Sequence, residues 1–539
     1  MTEDKRLIED FLPIKEISKE SAREKSIRQG HISTLHLWWA RRPLVACRAA
    51  VYASLVPAPK GKNGRGPKSG FIQRLCKYPA DPYAVKEAIK HIYEAHAERL
   101  SKELGKEITA KEIEEGEAPK PKVLDMFAGG GSIPLEALRL GCDAYAVELN
   151  PVAHIIELAT LVYPQKYGKK LVDEVEKWGK WVIEKAKEEI GDLYKPIPDP
   201  KGYGILRPVA YLWTRTVKCK NPACGAVVPL VRQTWLCKKK EKYIALKVSP
   251  DNKKKRPKFS VVSSYARTEK EAIEKFGFDP GKFSRGGNAG CVICGTVATS
   301  DYVKKEGQAK RIDKQLMAVV CTRERKAGKI YLSADQVPED LILDEKEIWK
   351  RIEKVCEETG LTIPYEEIEP HDEQRCLVYG YTKFSDIFTP RQLLALLTFT
   401  KWVRLAYEEM EKEGYEKELA NGVISILGLN LNRVGDYCST FCQWRNNLET
   451  VGHTFSRQAI PMLWDFAEGN PVSGTSGTWN GMLKQQITSI DSIAQLQNAQ
   501  EVFRTSATEL PYSDNFFDAI ITDPPYYDNI SYAALSDFF

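Results

Sequence analysis

Short apolar runs, each followed by a turn, predict the strands of an α/β fold. Residues 123–127 run into three consecutive glycines and then into a helical pattern that ends near Leu140, and residues 144–147 follow as a second strand. Close to the other end of the chain, residues 519–521 form a third apolar run. Strands that alternate with helices favour a parallel sheet, so these runs predict the two halves of one sheet.

Residues 1 to about 100 follow a helical pattern without one clean apolar stripe. In residues 31–57 the apolar positions spread around the helix, which indicates buried or interface helices. Cations and flat rings are interleaved in and just before this stretch, namely His31, His36, Trp38, Trp39, Arg23, Lys25, Arg28, Arg41, Arg42 and Arg48. Such a mixture suits phosphate and base contacts, and a tryptophan core with a solvated basic face explains it as well.

Shifts in composition divide the rest of the chain. Residues 58–70 are rich in Gly, Pro and Lys and predict a loop, and a charged helix that begins at residue 166 ends in a Pro/Gly cluster near residue 200. A long insertion then separates the two halves of the sheet. We predict five segments: a helical region at 1–118, the first half of the sheet domain at 119–165, a cysteine-bearing insertion at 201–330, a mainly helical insertion at 335–490 and the second half of the sheet domain at 491–539.

Composition narrows the class of protein but does not identify a binding partner. With 539 residues, 43% of them hydrophobic and 28% charged, the chain has the length of three to four soluble domains. No apolar run approaches the length of a membrane span, and the first residues lack the apolar region of a signal peptide. We therefore expect a cytoplasmic protein without a membrane partner. The net charge of +6 is too small to establish a polyanionic partner.

The first candidate site is the turn that follows residues 123–127. Gly129, Gly130 and Gly131 lack a Cβ and tolerate positive φ, so a ligand can approach the backbone where the next helix begins. Glu148 ends the second strand, 23 residues beyond Asp125. In nucleotide-binding βαβ units, an acid at that distance accepts hydrogen bonds from ribose hydroxyls.

The second candidate site follows the third apolar run. Two adjacent prolines cannot donate ladder hydrogen bonds, so Pro524 and Pro525 predict a stiff loop at the carboxyl end of the strand, where open α/β sheets bind ligands. The Asp523 carboxylate and the Pro524 carbonyl can both accept N–H bonds from an exocyclic amino group. Tyr526 can stack on a base face.

The cysteines predict a metal site. Thirteen cysteines in a long cytoplasmic chain argue against a disulfide framework. Cys219 and Cys224, and much later Cys291 and Cys294, form two pairs that are each closed by a glycine. Thiolates at these spacings can hold one Zn²⁺ tetrahedrally. The gap between the pairs is far longer than usual for such sites, which leaves Cys237 as an alternative ligand.

Two further stretches combine polar groups in unusual density. Between the cysteine pairs lies a basic run that is either a phosphate contact or a solvated loop, consisting of Lys238, Lys239, Lys240, Lys253, Lys254, Lys255, Arg256 and Lys258. Residues 453–472 carry Arg457, Gln458, Asp465, Glu468 and Asn470 among apolar residues. Because buried polar groups need partners, this second stretch predicts a lined cleft.

The two candidate sites resemble the motifs of S-adenosylmethionine-dependent methyltransferases. Residues 125–131, DMFAGGG, are similar to the DPFxGxG pattern of motif I, and Glu148 is similar to the acid of motif II. The resemblance implies that Asp125, Phe127 and Asn150 join the glycines and Glu148 in binding the cofactor. Residues 523–526, Asp-Pro-Pro-Tyr, resemble motif IV of the amino methyltransferases that modify adenine N6 or cytosine N4 in DNA.

As a whole, the chain resembles the zinc-ribbon-containing adenine-specific DNA methylase family with a DUF1156 amino-terminal region. The HLWWARRP block at 36–43, the FTPR element at 388–391 and the cysteine pairs carry this resemblance together with the two motifs. It implies a Rossmann-like class I methyltransferase sheet that is incomplete at the C-terminus, a helical N-terminal region and a large insertion with a zinc ribbon. It also implies S-adenosylmethionine, a structural Zn²⁺ and a role in restriction-modification or phage defence.

The expected activity is methylation of adenine N6 in double-stranded DNA, with the base flipped onto Tyr526. Asp rather than Ser at position 523 favours adenine over cytosine. The catalytic loop would then consist of Asp523, Pro524, Pro525 and Tyr526. Two alternatives remain: an RNA amino-methyltransferase, and a catalytically incomplete zinc-ribbon protein that binds nucleic acid.

A complete methyltransferase sheet has about three more strands after motif IV, and few residues follow Asn529. The expectation is a chain that stops inside its catalytic domain and depends on a downstream polypeptide for full activity. An uncovered edge would then expose a group of apolar side chains, namely Ile520, Ile521, Tyr532, Leu535, Phe538 and Phe539.

Overall fold

The computed structural model describes residues 5–59, 65–284, 287–324, 326–371, 374–475, 477–496, 500–527 and 529–539. The chain is a mixed α/β protein with several sheets, and it divides into two compact units. Unit 1 comprises Met1–Lys177, Met410–Leu429 and Lys484–Asp537, and unit 2 comprises Trp178–Glu409, Asn430–Leu483 and Phe538–Phe539. Among the described helices, none combines the length and the apolar character that crossing a bilayer requires.

Unit 1 contains a four-stranded sheet in which every strand is parallel to its neighbours. Its strands lie in the order Glu501–Phe503, Asp143–Val147, Lys122–Asp125 and Ala519–Ile520. The three apolar runs of the sequence therefore form strands, and two of them, Lys122–Asp125 and Ala519–Ile520, are neighbours although they lie almost 400 residues apart in the chain. The short strand Glu501–Phe503 has no comparable apolar run.

Helices in unit 1 cover most of the N-terminal region, as the sequence predicts. Their bounds are Leu7–Asp10, Ile14–Glu24, Leu44–Leu55, Arg65–Leu75, Pro82–Leu104, Ala110–Glu115, Ser132–Arg139, Pro151–Glu157 and Tyr532–Ser536, with Tyr163–Ile190, Lys417–Asp436 and Trp479–Ile493 belonging to it in part. The predicted loop at 58–70 is wrong from Arg65 onward, because Phe71, Ile72 and Leu75 are buried in the core and hold this Gly- and Lys-rich stretch in a helix. Residues 60–64 of that loop lie outside the described residues.

The N-terminal helices and the sheet of unit 1 share one apolar core. Leu44–Leu55 is buried on nearly every side, and its residues cluster with Val123 and Ala144 of the sheet and with Ile133 of the helix that follows the glycines. The helical region predicted at 1–118 is thus packed as part of the sheet unit. Glu24 accepts hydrogen bonds from the Leu44 and Val45 amides at 2.8 and 3.1 Å, which satisfies free N–H groups at the start of that helix.

Arg48 lies inside this core, so its assignment to a possible phosphate-binding surface is wrong. Its Nε donates to Glu136 Oε2 at 2.6 Å, and both side chains are fully buried. Its Nη1 donates to the carbonyls of Leu75 and Lys77. Burial opposes ionisation of Glu136, yet Arg139 and Arg48 together hold its pKa below the ordinary value. The pair therefore stabilises the fold at neutral pH, and this stabilisation is lost as the pH falls through the lowered pKa.

Unit 2 is built around antiparallel strands. Its largest sheet contains Lys326–Ser333, Asp313–Arg323, Ile205–Lys218 and Asp465–Gly469 in that order, with Ile197–Pro198 and Val227–Pro229 also paired to the long strand Ile205–Lys218. A three-stranded sheet consists of Trp235–Lys239, Lys242–Asp251 and Arg256–Ser264, and two short hairpins consist of Ala289–Gly290 with Val297–Ala298 and Trp444–Arg445 with Thr450–Val451. Its helices include Glu269–Phe276, Ser300–Gln308, Glu345–Thr359 and Pro390–Lys412. Residues predicted as two separate insertions thus contribute strands to one sheet.

The sequence predicts a lined cleft from the polar residues of 453–472, and Glu468 does not line one. This carboxylate is 1% exposed and accepts hydrogen bonds from Arg391, from the Thr389 hydroxyl and from the Trp213 indole. Arg391 and Thr389 belong to the FTPR element, so that element supplies the partners of a buried acid within unit 2. Asn470 is satisfied in the same way, because its Nδ2 donates to the Pro208 carbonyl.

We predict that Glu136→Gln lowers the free energy of unfolding by roughly 3 to 5 kcal/mol, because it leaves the Arg48 guanidinium buried without a counter-charge. Urea unfolding of the full chain measures this loss. The matched control is Glu87→Gln, which removes the acid of an exposed pair with Arg74 and should cost less than about 1 kcal/mol. Equal effects of the two substitutions would contradict this account.

Candidate functional site

Both sequence-predicted sites lie at the carboxyl ends of two neighbouring parallel strands in unit 1. Val123 is paired with Ala519 and Leu124 with Ile520, and the Ile521 amide donates to the Leu124 carbonyl at 2.9 Å. One residue further, the Thr522 hydroxyl donates to Asp125 Oδ1 at 2.8 Å. The residues that follow, 126–131 on one strand and 523–526 on the other, therefore leave the sheet side by side.

The turn at residues 129–131, here called the glycine loop, has the conformation that its sequence predicts. Gly129 and Gly131 adopt φ of +55° and +73°, in the left-handed region that other residues avoid. A Cβ at Gly129 would lie 2.5 Å from the Trp38 indole nitrogen. The close approach that glycine permits here is thus made by a tryptophan of the N-terminal region, whose ring also stacks on Tyr532 with centroids 5.5 Å apart.

Glu148 holds the glycine loop through its carboxylate. Its Oε2 accepts from the Gly129 amide at 2.9 Å, and its Oε1 accepts from the Leu149 and Asn150 amides at 2.9 and 3.0 Å. Asn150 caps the helix Pro151–Glu157 through its Oδ1, and its Nδ2 donates to the Ser536 hydroxyl at 2.9 Å. Three backbone N–H groups therefore orient Glu148, and one lone-pair direction on Oε2 remains available.

A cavity of about 460 Å³ joins these elements. Eight of the predicted site residues line it, namely Asp125, Phe127, Gly129, Gly130, Glu148, Asn150, Asp523 and Pro525. The remaining wall comes from Trp38, Ala40, Arg41, Arg42, Ala128, Ser132, Ile133, Leu149, Pro151, Val152, Tyr532, Ala533, Ser536 and Asp537. Of the other predicted residues, all within the described part of the chain, Gly131, Pro524 and Tyr526 are not in this lining.

Asp523 is engaged by two side chains. Arg42 forms an ion pair with its Oδ2, and the Tyr526 hydroxyl donates to its Oδ1 at 2.7 Å. The Arg42 guanidinium also lies over the Tyr526 ring, 5.4 Å from the centroid. Tyr526 is 61% exposed and Tyr527 is 99% exposed, so two aromatic rings of this loop face solvent.

Two acidic groups near the glycine loop, Asp125 and Glu157, have raised pKa values. Burial raises the pKa of Asp125 to about 6, against hydrogen bonds from Thr522 and Phe127 that favour the charged form. Burial raises the pKa of Glu157 well above its ordinary range, and the charges of Glu148 and Asp125 add to this effect. Neither carboxylate oxygen of Glu157 has a hydrogen-bond partner among the described residues. Because an unpaired buried carboxylate is unfavourable, this environment favours the neutral form of Glu157.

Sequence reasoning missed several of these residues. Trp38 and Arg42 were candidates for nucleic-acid contact, and no local signal links them to the glycine loop or to Asp523. Glu157 had a usable signal in the sequence, because it is the one acid in the mainly apolar stretch 151–162. In the structure it directly precedes the π-helical turn Leu158–Val162.

The expectation of an uncovered apolar edge is wrong for part of its residues. Leu535 is fully buried and Tyr532 stacks on Trp38. Within unit 2, the Phe538 ring contacts the Phe455 ring with centroids 5.0 Å apart. Ile520 is 55% exposed, as expected for a residue of the edge strand Ala519–Ile520.

A second candidate site lies in unit 2, where the four cysteines of the two predicted pairs meet. The ligand atoms of Cys219, Cys224, Cys291 and Cys294 all lie within 4.8 Å of one another. The Sγ atoms of Cys219 and Cys294 are 3.6 Å apart, and those of Cys224 and Cys291 are 3.9 Å apart. Tetrahedral Zn²⁺ with Zn–S bonds of about 2.3 Å separates its sulfurs by about 3.8 Å, so the cluster is compatible with a structural zinc site.

A glycine with positive φ closes each of the two cysteine pairs. Gly225 and Gly295, which close them, adopt φ of +60° and +76°, as the sequence predicts for tight turns. The long gap between the pairs contains the three-stranded sheet of unit 2, and Cys237 lies in its first strand, Trp235–Lys239. Within the described residues, the cluster has four members and Cys237 is not one of them. The insertion therefore folds as a sheet of its own without supplying a replacement ligand.

Comparison with known proteins identifies one matching segment. Residues 11–72 match the family described as "Protein of unknown function (DUF1156)". No curated protein and no solved structure matches the chain. The matched segment contains Trp38, Arg41 and Arg42, so it supplies part of the cavity wall.

We predict that the purified chain contains about one Zn²⁺ and that Cys291→Ser combined with Cys294→Ser removes it, because two thiolates cannot hold zinc as four do. Elemental analysis by mass spectrometry measures the metal content. Cys237→Ser, which changes a buried cysteine outside the cluster, is the control and should keep the metal. Retention of zinc by the double variant would refute the assignment of these ligands.

Proposed function

We propose that the chain is an S-adenosylmethionine-dependent amino-methyltransferase that acts on adenine N6 in DNA. One observation carries the proposal: the glycine loop with Glu148 and the Asp-Pro-Pro-Tyr loop open into one cavity at the carboxyl ends of two adjacent parallel strands. The first set of residues suits a nucleoside cofactor, and the second suits a base with an exocyclic amino group. A methyl transfer between them needs this adjacency.

The order of the strands supports a Rossmann-like sheet. In chain order the four strands of unit 1 lie as third, second, first and fourth, which is the arrangement at the centre of doubly wound folds. Ligands bind in such folds at the point where the strand order reverses. Here that point lies between Lys122–Asp125 and Ala519–Ile520, and Asp125 and Thr522 meet there.

The residues of the cavity fit a cationic nucleoside. The cavity volume of about 460 Å³ lies in the usual range for small-molecule sites. Glu148 keeps one acceptor direction for a ribose hydroxyl, because the Gly129, Leu149 and Asn150 amides occupy the others. The carboxylates of Asp125 and Glu148, which line the cavity, complement a positive charge. When bound, S-adenosylmethionine supplies a sulfonium methyl group that a nitrogen nucleophile can attack.

The Asp-Pro-Pro-Tyr loop would position the nucleophile. The Asp523 carboxylate and the Pro524 carbonyl accept the two N–H bonds of an amino group, which keeps its nitrogen directed at the cavity. Tyr526 is exposed enough to stack on the base. Because the amino group of a stacked base cannot reach such a loop, the target base must leave the duplex. Catalysis then rests on positioning in a polar site, without a covalent enzyme intermediate.

A second candidate function is nucleic-acid binding without catalysis, and a specific observation in unit 2 favours it. The turn that joins Lys242–Asp251 to Arg256–Ser264 carries Lys253, Lys254 and Lys255, and all three side chains are exposed. The Lys255 carbonyl accepts from the Val227 amide at 2.9 Å, beside the first cysteine pair. A basic turn that lies next to a metal-binding cysteine pair is suited to contact the phosphates of DNA or of RNA. Cofactor binding without methyl transfer would favour this candidate.

We predict that the full chain binds S-adenosylmethionine and that Glu148→Ala weakens binding by roughly 1 to 3 kcal/mol, because a ribose hydroxyl loses its acceptor. Isothermal titration calorimetry measures the affinity. Glu174→Ala, on a helix of the same unit away from the cavity lining, is the control and should bind as the unchanged chain does. Unaltered affinity in Glu148→Ala would remove Glu148 from the site.

We also predict that Asp523→Asn abolishes methyl transfer to DNA while cofactor affinity changes little, because the carboxylate contacts the amino group and not the cofactor. Transfer of a labelled methyl group to DNA and to RNA, measured in a single turnover, tests both the reaction and the nucleic acid. Transfer by Asp523→Asn at the normal rate would overturn the mechanism. Preferential transfer to RNA would mean that RNA is the substrate in place of DNA, and the proposed methyl transfer would still stand.

A further inference from the structure

Arg42 engages both side chains that the proposed reaction needs for the target base. Its guanidinium pairs with Asp523 Oδ2 and covers the Tyr526 ring at 5.4 Å, while Tyr526 donates to the other oxygen of Asp523. A base that enters the loop needs the Asp523 carboxylate as an acceptor and the Tyr526 ring as a platform. It must therefore compete with Arg42 for both groups.

Hydrogen bonds fix the backbone beside Arg42, whereas its side chain is partly exposed to solvent. The Leu44 and Val45 amides donate to Glu24, whose carboxylate also contacts His31 Nε2 at 2.9 Å, with both of these side chains buried. The Arg42 side chain, by contrast, is 37% exposed. Because the Arg42 side chain is partly exposed, it can leave Asp523 without a rearrangement of the segment that carries it.

The cavity lining carries two arginines, Arg41 and Arg42, in addition to its acids. Arg42 pairs with Asp523, and a Cβ at Gly130 would lie 3.7 Å from the Arg41 side chain. Burial lowers the pKa of Arg41 to about 10, so it remains protonated at neutral pH. Arginine binds phosphate in a planar, two-point geometry and is desolvated easily. The only anion that pairs with Arg42 among the described residues is Asp523, which a backbone phosphate can replace.

We propose that Arg42 makes the site selective for a base carried on a phosphodiester backbone, an inference that rests on the proposed function. Without nucleic acid, Arg42 holds Asp523 and covers Tyr526. When a nucleic acid binds, a backbone phosphate takes the guanidinium, and Asp523 becomes free to accept the amino N–H of the base. A nucleoside without phosphate cannot make this exchange, so it meets an occupied acceptor. Arg42 is then a specificity residue supplied by the DUF1156 segment.

The exchange predicts opposite effects of one substitution on two ligands. Arg42→Ala should strengthen binding of deoxyadenosine at least several-fold, because the acceptor is free. It should weaken binding of a thymine-only oligonucleotide by roughly tenfold, because a charge-assisted contact is lost, and should reduce the salt dependence of that binding by about 0.7 in log–log slope. Equilibrium binding to the full, cofactor-free chain measures both ligands. A purely structural role of Arg42 would move both affinities in the same direction.

Two further variants complete the test. Asp523→Asn releases Arg42 from the other side and should strengthen binding of the thymine-only oligonucleotide, which offers phosphates and no target base. Arg99→Ala is the matched control, because Arg99 pairs with Asp518 in the same unit at similar side-chain exposure and away from the cavity lining. It should change neither affinity.

The proposal is overturned if Arg42→Ala leaves both affinities unchanged or shifts them together, or if Asp523→Asn leaves oligonucleotide affinity unchanged. If Arg42→Ala fails to fold, the Asp523→Asn arm alone decides. These measurements use no cofactor and no turnover. Failure of the methyltransferase assignment would instead appear as absent cofactor binding and absent methyl transfer, so the two failures are distinguishable.

Discussion

Parallel backbone pairing between Lys122–Asp125 and Ala519–Ile520 is the contact on which the site depends. Few hydrogen bonds make it, yet they join segments that lie almost 400 residues apart, and Thr522 adds a side-chain bond to Asp125 at the end of the pair. Because side-chain direction alternates along a strand, a register shift by one residue would turn Thr522 away from Asp125. The register thus determines that the glycine loop and Asp523 open into one cavity.

The N-terminal region forms part of the cavity wall, and buried charged residues hold it in place on the sheet. Arg48 and Glu136 lie fully inside the core of unit 1, and Glu24 holds the start of the helix that carries Arg48. Desolvated charges are tolerated only when they are paired, so these contacts determine how the segment lies on the sheet. Trp38 reaches the glycine loop and Arg42 reaches Asp523 as a consequence. A segment that matches only a family of unknown function therefore contributes directly to the candidate site.

The cavity brings acidic and basic groups close together. Asp125, whose pKa is raised because burial disfavours its charged form, lines it with Glu148 beside the glycine loop. Arg41 and Arg42 line it as well, and Arg42 pairs with Asp523. The carboxylates can complement a cationic group and the guanidinium groups an anionic one.

The sequence by itself determined the local features. The three apolar strands of unit 1, the positive φ of Gly129 and Gly131, and the two cysteine pairs closed by Gly225 and Gly295 were predictable because each depends on neighbouring residues. Only the tertiary structure decided the partners. The burial of Arg48, the capture of Glu468 by Arg391 and the contact of Arg42 with Asp523 depend on residues far apart in the chain. A charged residue looks alike in sequence whether it is solvated or paired in a core, and its environment exists only after the chain has folded.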